Sequence, residues 1–257
     1  MGRLTETVKV LIIINVIFFV GKLTMPEVAD RLFSLYYFEN PKFQFWQPLT
    51  HMFMHGDFGH ILFNMFGLYM FGSPLEVYWG RKKFLFFYFS AGLGAAFIHT
   101  MVNYYHFHSG FSEFASAGLN ESQIFELMDE FRRKASSSVD GFIKMSIPEG
   151  TSLDSLNKMI SGYDIRALGA SGAVYGVLVA FGLLYPNVSL MLIFFPVPIK
   201  AKYFIPVLIG LDLFSGITGY SLFGQGIAHW AHIGGALFGF IMAYYWKKNS
   251  FNSHRWD

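Results

Sequence analysis

Ser171 stands in Gly169-Ala170-Ser171-Gly172, at the head of an apolar run from Ala173 to Tyr185. A hydroxyl between such small residues stays uncovered, and its neighbours let another backbone come close. Towards the other end of the chain, Ala228-His229-Trp230-Ala231-His232-Ile233-Gly234-Gly235 puts a histidine on a second apolar stretch, with glycines within a helical turn of it. A serine hydroxyl is a poor nucleophile until a base takes its proton. His232 is the candidate base and, later in a reaction, the general acid. The two residues are the minimum pair for nucleophilic catalysis. Either also suits a packing role, because glycine and serine abound where membrane helices meet. A histidine inside an apolar span is rare, however, and its default reading is functional.

The supporting residues are read the same way. Tyr175 lies four residues after Ser171 and shares its helix face. Its ring either stacks on the imidazole or simply packs with its hydroxyl bonded locally. Asp212 lies in a different apolar stretch, with nothing in the sequence to fix its depth. The reading is therefore a two-residue dyad, with packing rather than a carboxylate orienting the ring. Acyl transfer also needs donors for the developing oxyanion. His60 and Asn64, at i and i+4, carry such donors and can act with the Ser171 backbone N–H. The rival is a metal held by His51, His55 and His60, since His51 and His55 have helical i,i+4 spacing. The pattern His-Glu-x-x-His is missing, so neither a metal nor another cofactor is expected. Glu76 is expected to cap a loop or to pair with Arg81.

These side chains must be positioned by elements that lie in lipid. The chain is 53% hydrophobic and 14% charged, where a soluble domain carries about a quarter charged residues. It has no cysteine, which excludes disulfides and thiolate sites, and its formal net charge of +2 gives no nucleic-acid signal. Six apolar stretches read as spans: Val10–Val20, Ile61–Trp79, Phe84–Val102, Ala173–Tyr185, Tyr203–Ile217 and Ile227–Trp246. The first has no small-x-small cleavage site behind it and is read as a retained helix. Pro26 to Thr50 reads as a long interfacial loop. Val188 to Pro198 is broken by two prolines, Pro196 and Pro198, and is expected to lie along the interface.

Between the third and fourth spans, residues 103–167 carry no span-length apolar run. Asn120 with Gln123 forms a capping box for a helix whose Ile124, Met128, Phe131 and Ala135 share a face. Thr151 or Ser152 caps a second helix, stopped by Gly162. The fold class is thus an all-α polytopic membrane protein. One domain covers 1–257, and a small helical insertion, 103–167, lies outside the membrane within it. Arg3 and Lys9, Arg81 to Lys83, Lys200 with Lys202, and Lys247 with Lys248 fall on one side of the bilayer. Positive-inside then places both termini in the cytoplasm and the insertion outside. Ser171 and His232 come to similar depth, and Gly235 with Gly239 makes a small-xxx-small face that lets the last helix press on the serine helix.

Taken together, these residues resemble the rhomboid intramembrane serine proteases. The resemblance rests on His55-x4-His60-x3-Asn64, Glu76, Gly169-Ala170-Ser171-Gly172 with Tyr175, and Ala231-His232-x2-Gly235-x3-Gly239, in that order along six spans. It implies a six-helix bundle with a water-accessible cavity and a Ser171–His232 dyad. It also implies an oxyanion and support set of His60, Asn64, Gly169 and Tyr175, with Tyr175 beneath the histidine. The substrates implied are transmembrane proteins, cut in or near their membrane segments and often after a small residue. The location expected on this basis is a bacterial inner membrane. Trp46-Gln47 stands where many members carry Trp-Arg, and the family pattern does not cover the insertion. The alternative functions are a non-catalytic chaperone holding transmembrane clients and, from the broken helices, a small transporter.

Overall fold

The computed structural model describes residues 3–137, 146–192, 195–221 and 227–250. It is predominantly helical and falls into two compact units. The first comprises residues 1–35, 44–99 and 167–257, and the second residues 36–43 and 100–166.

In the first unit, α1 (Glu6–Thr24) buries Thr7, Val8, Leu11 and Asn15. Its opposite face exposes Val10, Ile13, Ile17 and Val20. An apolar face turned outward is what a helix in lipid requires. The α1 N-terminus is capped from a distance. Glu76 accepts from the Thr5 hydroxyl, the Thr7 N–H and the Val8 N–H. It thus satisfies donors that a helix start leaves unpaired.

The stretch from Pro26 to Thr50, expected to be a long interfacial loop, contains α2 (Pro26–Phe33) and the short α3 (Gln47–Thr50), followed by one 3-10 turn, His51–Phe53. The second expected span is helical from Phe58 to Trp79 but not uniform. It consists of α4 (Phe58–Gly67), a π-helical stretch at Leu68–Gly72, and α5 (Ser73–Trp79) with Pro74 in its first turn. α6 (Arg81–Ser116) is 36 residues long, so it does not end at Val102 as the hydropathy suggests.

α9 (Ser171–Leu184) is the centre of this unit, with nine of its fourteen residues buried. β1 (Ser189–Leu192) and β2 (Phe195–Lys200) form an antiparallel hairpin, with Ser189 opposite Lys200 and Leu190 opposite Ile199. Pro196 and Pro198 alternate along β2, so both missing N–H donors fall on one edge, where a two-stranded ribbon tolerates them. α10 (Ala201–Thr218) and α11 (His229–Ser250) complete the unit. Of the connection between them, residues 222–226 lie outside the described residues. Among the described residues, α1, α6 and α10 are long and apolar enough to cross a membrane, and α9 is apolar but shorter.

Helices α9 and α11 meet along glycines. A Cβ on Gly235 would stand 1.8 Å from the Gly172 carbonyl oxygen, and one on Gly239 would stand 2.5 Å from the Gly176 Cα. Both obstacles are backbone, which cannot swing aside. Gly235→Ala is therefore expected to force the helices apart. The overpacking should cost about 1–3 kcal/mol. A displacement of about 1 Å between Ser171 and His232 should lower activity on the order of 10²-fold. Thermal unfolding in detergent and a cleavage assay on the same preparation check both effects.

The second unit has its own core, built from Tyr37, Phe107, Phe114, Ile124, Met128, Leu156 and Met159, among others. α7 (Glu121–Ser137) starts at the expected capping box. Gln123 N–H donates to Asn120 Oδ1, and Asn120 N–H to Gln123 Oε1. Ile124, Met128 and Phe131 are buried as expected, whereas Ala135 is exposed. α8 (Leu153–Asp164) is capped by Ser152, which accepts from Ser155 N–H. It continues past Gly162, because there the glycine permits contact rather than a stop. A Cβ at that position would meet the Asn103 carbonyl oxygen at 2.9 Å. Arg132 ties α7 to α8 through Asp164, at 2.6 Å.

Candidate active site

Ser171 is the first residue of α9, preceded by Ala170 at the N-cap. The first N–H groups of a helix have no partner inside it, and they form its positive end. The earliest helical bond of α9 is Val174 N–H to Ala170 O. The chain reaches this point under tight control. Leu35 and Ala167 exchange both backbone hydrogen bonds, each at 2.9 Å, and Gly169 N–H donates to His51 O at 2.9 Å. Gly169 has φ +125°, and a Cβ there would lie 2.7 Å from His60 Nε2. Glycine is needed both for the backbone conformation and for the space. The Gly169 N–H is thereby engaged with His51 O.

The segment carrying His51 is itself anchored. Trp46 Nε1, Gln47 Nε2 and Thr50 Oγ1 donate to the carbonyls of Leu32, Arg31 and Phe33. Gln47 thus does an anchoring task in the place where an arginine is common. His51 is buried, and its Nδ1–H donates to Gln47 O at 3.0 Å. Burial lowers its pKa from 6.5 to about 4. The unfolded chain therefore takes up this proton first as the pH falls. The stabilising contribution is complete above pH 6.5 and is lost as the pH drops towards 4. Between pH 7 and 5 that loss is about 2 kcal/mol from this residue. Detergent unfolding curves should show a smaller acid sensitivity in His51→Asn than in wild type. The neighbouring His55, held by burial at about 3, acts in the same direction.

Ser171 and His232 come together. His232 Nε2 lies 2.9 Å from Ser171 Oγ. Tyr175 stacks on the imidazole, with ring centroids 4.2 Å apart and planes 13° from parallel. Behind the ring stands Asp212 of α10, 3.1 Å from His232 Nδ1 through Oδ1. The expectation of a dyad without a carboxylate is therefore corrected. Asp212 shares the inward face of α10 with Ala201, Ile205 and Ser215, which brings it to the depth of His232. The Tyr175 hydroxyl donates to the other carboxylate oxygen. A carboxylate only accepts, so His232 carries its proton on Nδ1, and Nε2 is left free to accept from Ser171.

Sequence reading also missed His229. Its Nδ1 lies 2.5 Å from the same Asp212 Oδ1, and its Nε2 lies 3.2 Å from Ser221 Oγ. The available signal was its position three residues before His232, on one helix face.

His60 is set by its neighbours. Asp57 caps α4 by accepting from His60 N–H, and Gly56 N–H donates to His60 Nδ1 at 3.2 Å. The imidazole proton then resides on Nε2, the atom that faces Gly169. Asn64 is buried and donates from Nδ2 to His60 O at 2.9 Å. This holds the turn that carries His60, and the second amide proton remains for another acceptor. His51, His55 and His60 do not gather into a metal-ligand group; among the described residues, Asp212, His229 and His232 do. Beside Ser171 lies a cavity of about 10 Å³ walled by Met52, Gly92, Ala95 and Ala231. That is room for about one water molecule.

A predominantly helical unit with three helices long and apolar enough to cross a membrane thus carries a part-buried Ser171–His232–Asp212 series. The rhomboid domain model matches residues 42–132 and 150–249, and the chain belongs to the rhomboid family. An uncharacterized mitochondrial rhomboid protein of Schizosaccharomyces pombe is 26% identical over 234 residues, covering 88% of this chain and 56% of that protein. The mitochondrial RHOMBOID-like protein 12 of Arabidopsis thaliana is 28% identical over 188 residues, covering 73% of this chain and 42% of that protein. The chain thus spans about half the length of the curated relatives it matches.

Proposed function

We propose that this chain is an intramembrane serine endopeptidase that hydrolyses peptide bonds in or near the transmembrane segments of other membrane proteins. The observation that carries this reading is the 2.9 Å contact of Ser171 Oγ with His232 Nε2, on an imidazole fixed from behind by Asp212 and from below by Tyr175. Ser171 attacks the scissile carbonyl carbon while its proton passes to His232 Nε2. The oxyanion is met by the Ser171 backbone N–H and the Nε2–H of His60, with the free amide proton of Asn64 as a further donor. His232 then gives its proton to the leaving amine. A water, deprotonated in turn by His232, hydrolyses the acyl ester and frees Ser171.

The membrane setting follows from helix length. With 14 residues, α9 rises about 21 Å, less than the hydrocarbon thickness of about 30 Å. With its far end at the basic surface, where Lys247 Nζ donates to Leu183 O, its head stands below the opposite bilayer surface, where water must reach it through the protein. A substrate helix must unwind there, because a helical peptide bond is shielded and its polar groups resist exposure in lipid. Membership of the rhomboid family implies a small side chain next to the cut. The spans in this reading are α1, the helical stretch 58–79, α6, α9, α10 and α11. Both termini lie on the side of the basic loops, and the insertion at 103–167 lies opposite. The relatives' names are mitochondrial, and they lend no support to a bacterial inner membrane.

The test is cleavage of a transmembrane model substrate in proteoliposomes, run beside labelling with a serine-reactive fluorophosphonate. Cleavage and labelling at Ser171 are expected together. Absence of both, in protein that unfolds cooperatively, would leave client binding without proteolysis as the function.

A further inference from the structure

The hydrolytic reading needs one histidine on Asp212, and the site has two. His229 and His232 project from one face at the start of α11, and Asp212 meets both from α10. Asp212 Oδ1 is 2.5 Å from His229 Nδ1 and 3.1 Å from His232 Nδ1. One ligand atom from each residue lies within 4.8 Å of the others. The His229, His232 and Asp212 side chains are only 10%, 12% and 2% exposed. Two imidazole nitrogens and one carboxylate oxygen are a donor set suited to zinc, which takes three protein ligands and leaves a fourth position open.

We propose that Asp212, His229 and His232 form a site for a divalent transition metal, zinc above all, and that metal bound there switches the hydrolase off. The inhibitory half rests on the protease reading, and the binding half does not.

The protons balance without loss. A metal on Nδ1 needs that lone pair, so each imidazole moves its proton from Nδ1 to Nε2. Both Nε2 atoms already face an acceptor, Ser221 Oγ at 3.2 Å for His229 and Ser171 Oγ at 2.9 Å for His232. Outer partners of this kind fix the tautomer of a metal-ligating histidine. The Tyr175 hydroxyl on the other oxygen of Asp212 orients the carboxylate in the same sense. Inhibition then follows from the tautomer alone. With a proton on Nε2, His232 cannot accept one from Ser171, although the serine and its cavity stay open.

The purified full chain in detergent, stripped with a chelator, is titrated with cobalt(II), whose tetrahedral complexes absorb in the visible, and then with zinc. Wild type and Ser171→Ala are both expected to give a saturable cobalt band that zinc bleaches, since Ser171 is not a ligand. His229→Gln keeps an amide donor for Asp212 but has no ring nitrogen. It should weaken cobalt binding by about 10-fold or more, the scale on which even outer-shell partners act. Asp212→Asn should do the same. In cleavage assays zinc should slow wild type and a chelator restore it. The zinc needed for half inhibition should rise in His229→Gln by the same factor, each protein being compared with its own metal-free rate. No cobalt band in wild type, or a band that survives both substitutions, overturns the site. A cobalt band in protein that shows no proteolysis even when metal-free sinks the protease reading alone, and proteolysis without a cobalt band sinks the metal site alone. If His229→Gln does not fold, the wild-type and Asp212→Asn spectra decide.

Discussion

Protein carrying Ser171→Ala, reconstituted with a transmembrane substrate, is expected to lose cleavage by a factor on the order of 10⁴ or more. The site makes this prediction sharper than it first looks, because two serines contact histidines that share Asp212. Ser221 lies 3.2 Å from His229, against 2.9 Å for Ser171 and His232. The helix ends separate them. Ser171 opens α9, where unpaired N–H groups and the positive pole favour a developing oxyanion. Ser221 follows the C-terminal end of α10, closed by Gly219 with φ +74°, where the pole is negative. An oxyanion at Ser221 would be opposed by the same physics that favours one at Ser171. Ser221→Ala should therefore stay within roughly threefold of wild type, since it removes no transition-state donor. Mass mapping of the fluorophosphonate adduct gives an independent readout. An adduct on the Ser221 peptide, or undiminished cleavage by Ser171→Ala, would end the assignment of the nucleophile.

What the sequence made legible follows periodicity and local chemistry. The Asn120–Gln123 capping box is a rule about adjacent residues, and it forms as written. Gly235 and Gly239 declare a thin helix face by their spacing, and α9 lies on it. Glu76 reads as capping a loop or pairing with Arg81; it caps the start of α1 instead, a contact across 71 residues at the Thr5 hydroxyl. Long-range depth was not legible. Asp212 looked unplaced because hydropathy gives a span its existence but not its rotation or its tilt. Both follow only from the inward face shared with Ala201 and Ile205. The end of α6 was misplaced for a related reason. Hydropathy falls at the edge of the apolar run, yet the helix continues wherever its next turns find partners, here Phe107 and Phe114 in the core of the second unit. The hairpin at 189–200 was hidden by two prolines that read as breakers but occupy alternate positions on one strand.

Replacing Asp212 should separate charge from orientation in this site. In Asp212→Leu both imidazoles lose their acceptor. His232 is then free to hold its proton on Nε2, the form that cannot take the proton of Ser171, and kcat should fall on the order of 10³-fold or more. In Asp212→Asn the amide oxygen can still accept from both Nδ1–H groups, while the amide nitrogen faces the Tyr175 hydroxyl, which turns to accept. The tautomer survives, and only the negative charge that steadies the imidazolium is lost. A loss of about 10²-fold in kcat is expected, close to 3 kcal/mol of transition-state stabilisation. KM should change little in either variant, because Asp212 stands behind the histidine and away from the cavity. Fluorophosphonate labelling should slow in the same order as kcat. A purely structural role would instead lower unfolding temperatures and move KM with kcat. If Asp212→Leu retains activity within about fivefold, the stacked Tyr175 ring alone orients the imidazole, and a serine–histidine dyad describes the chemistry after all.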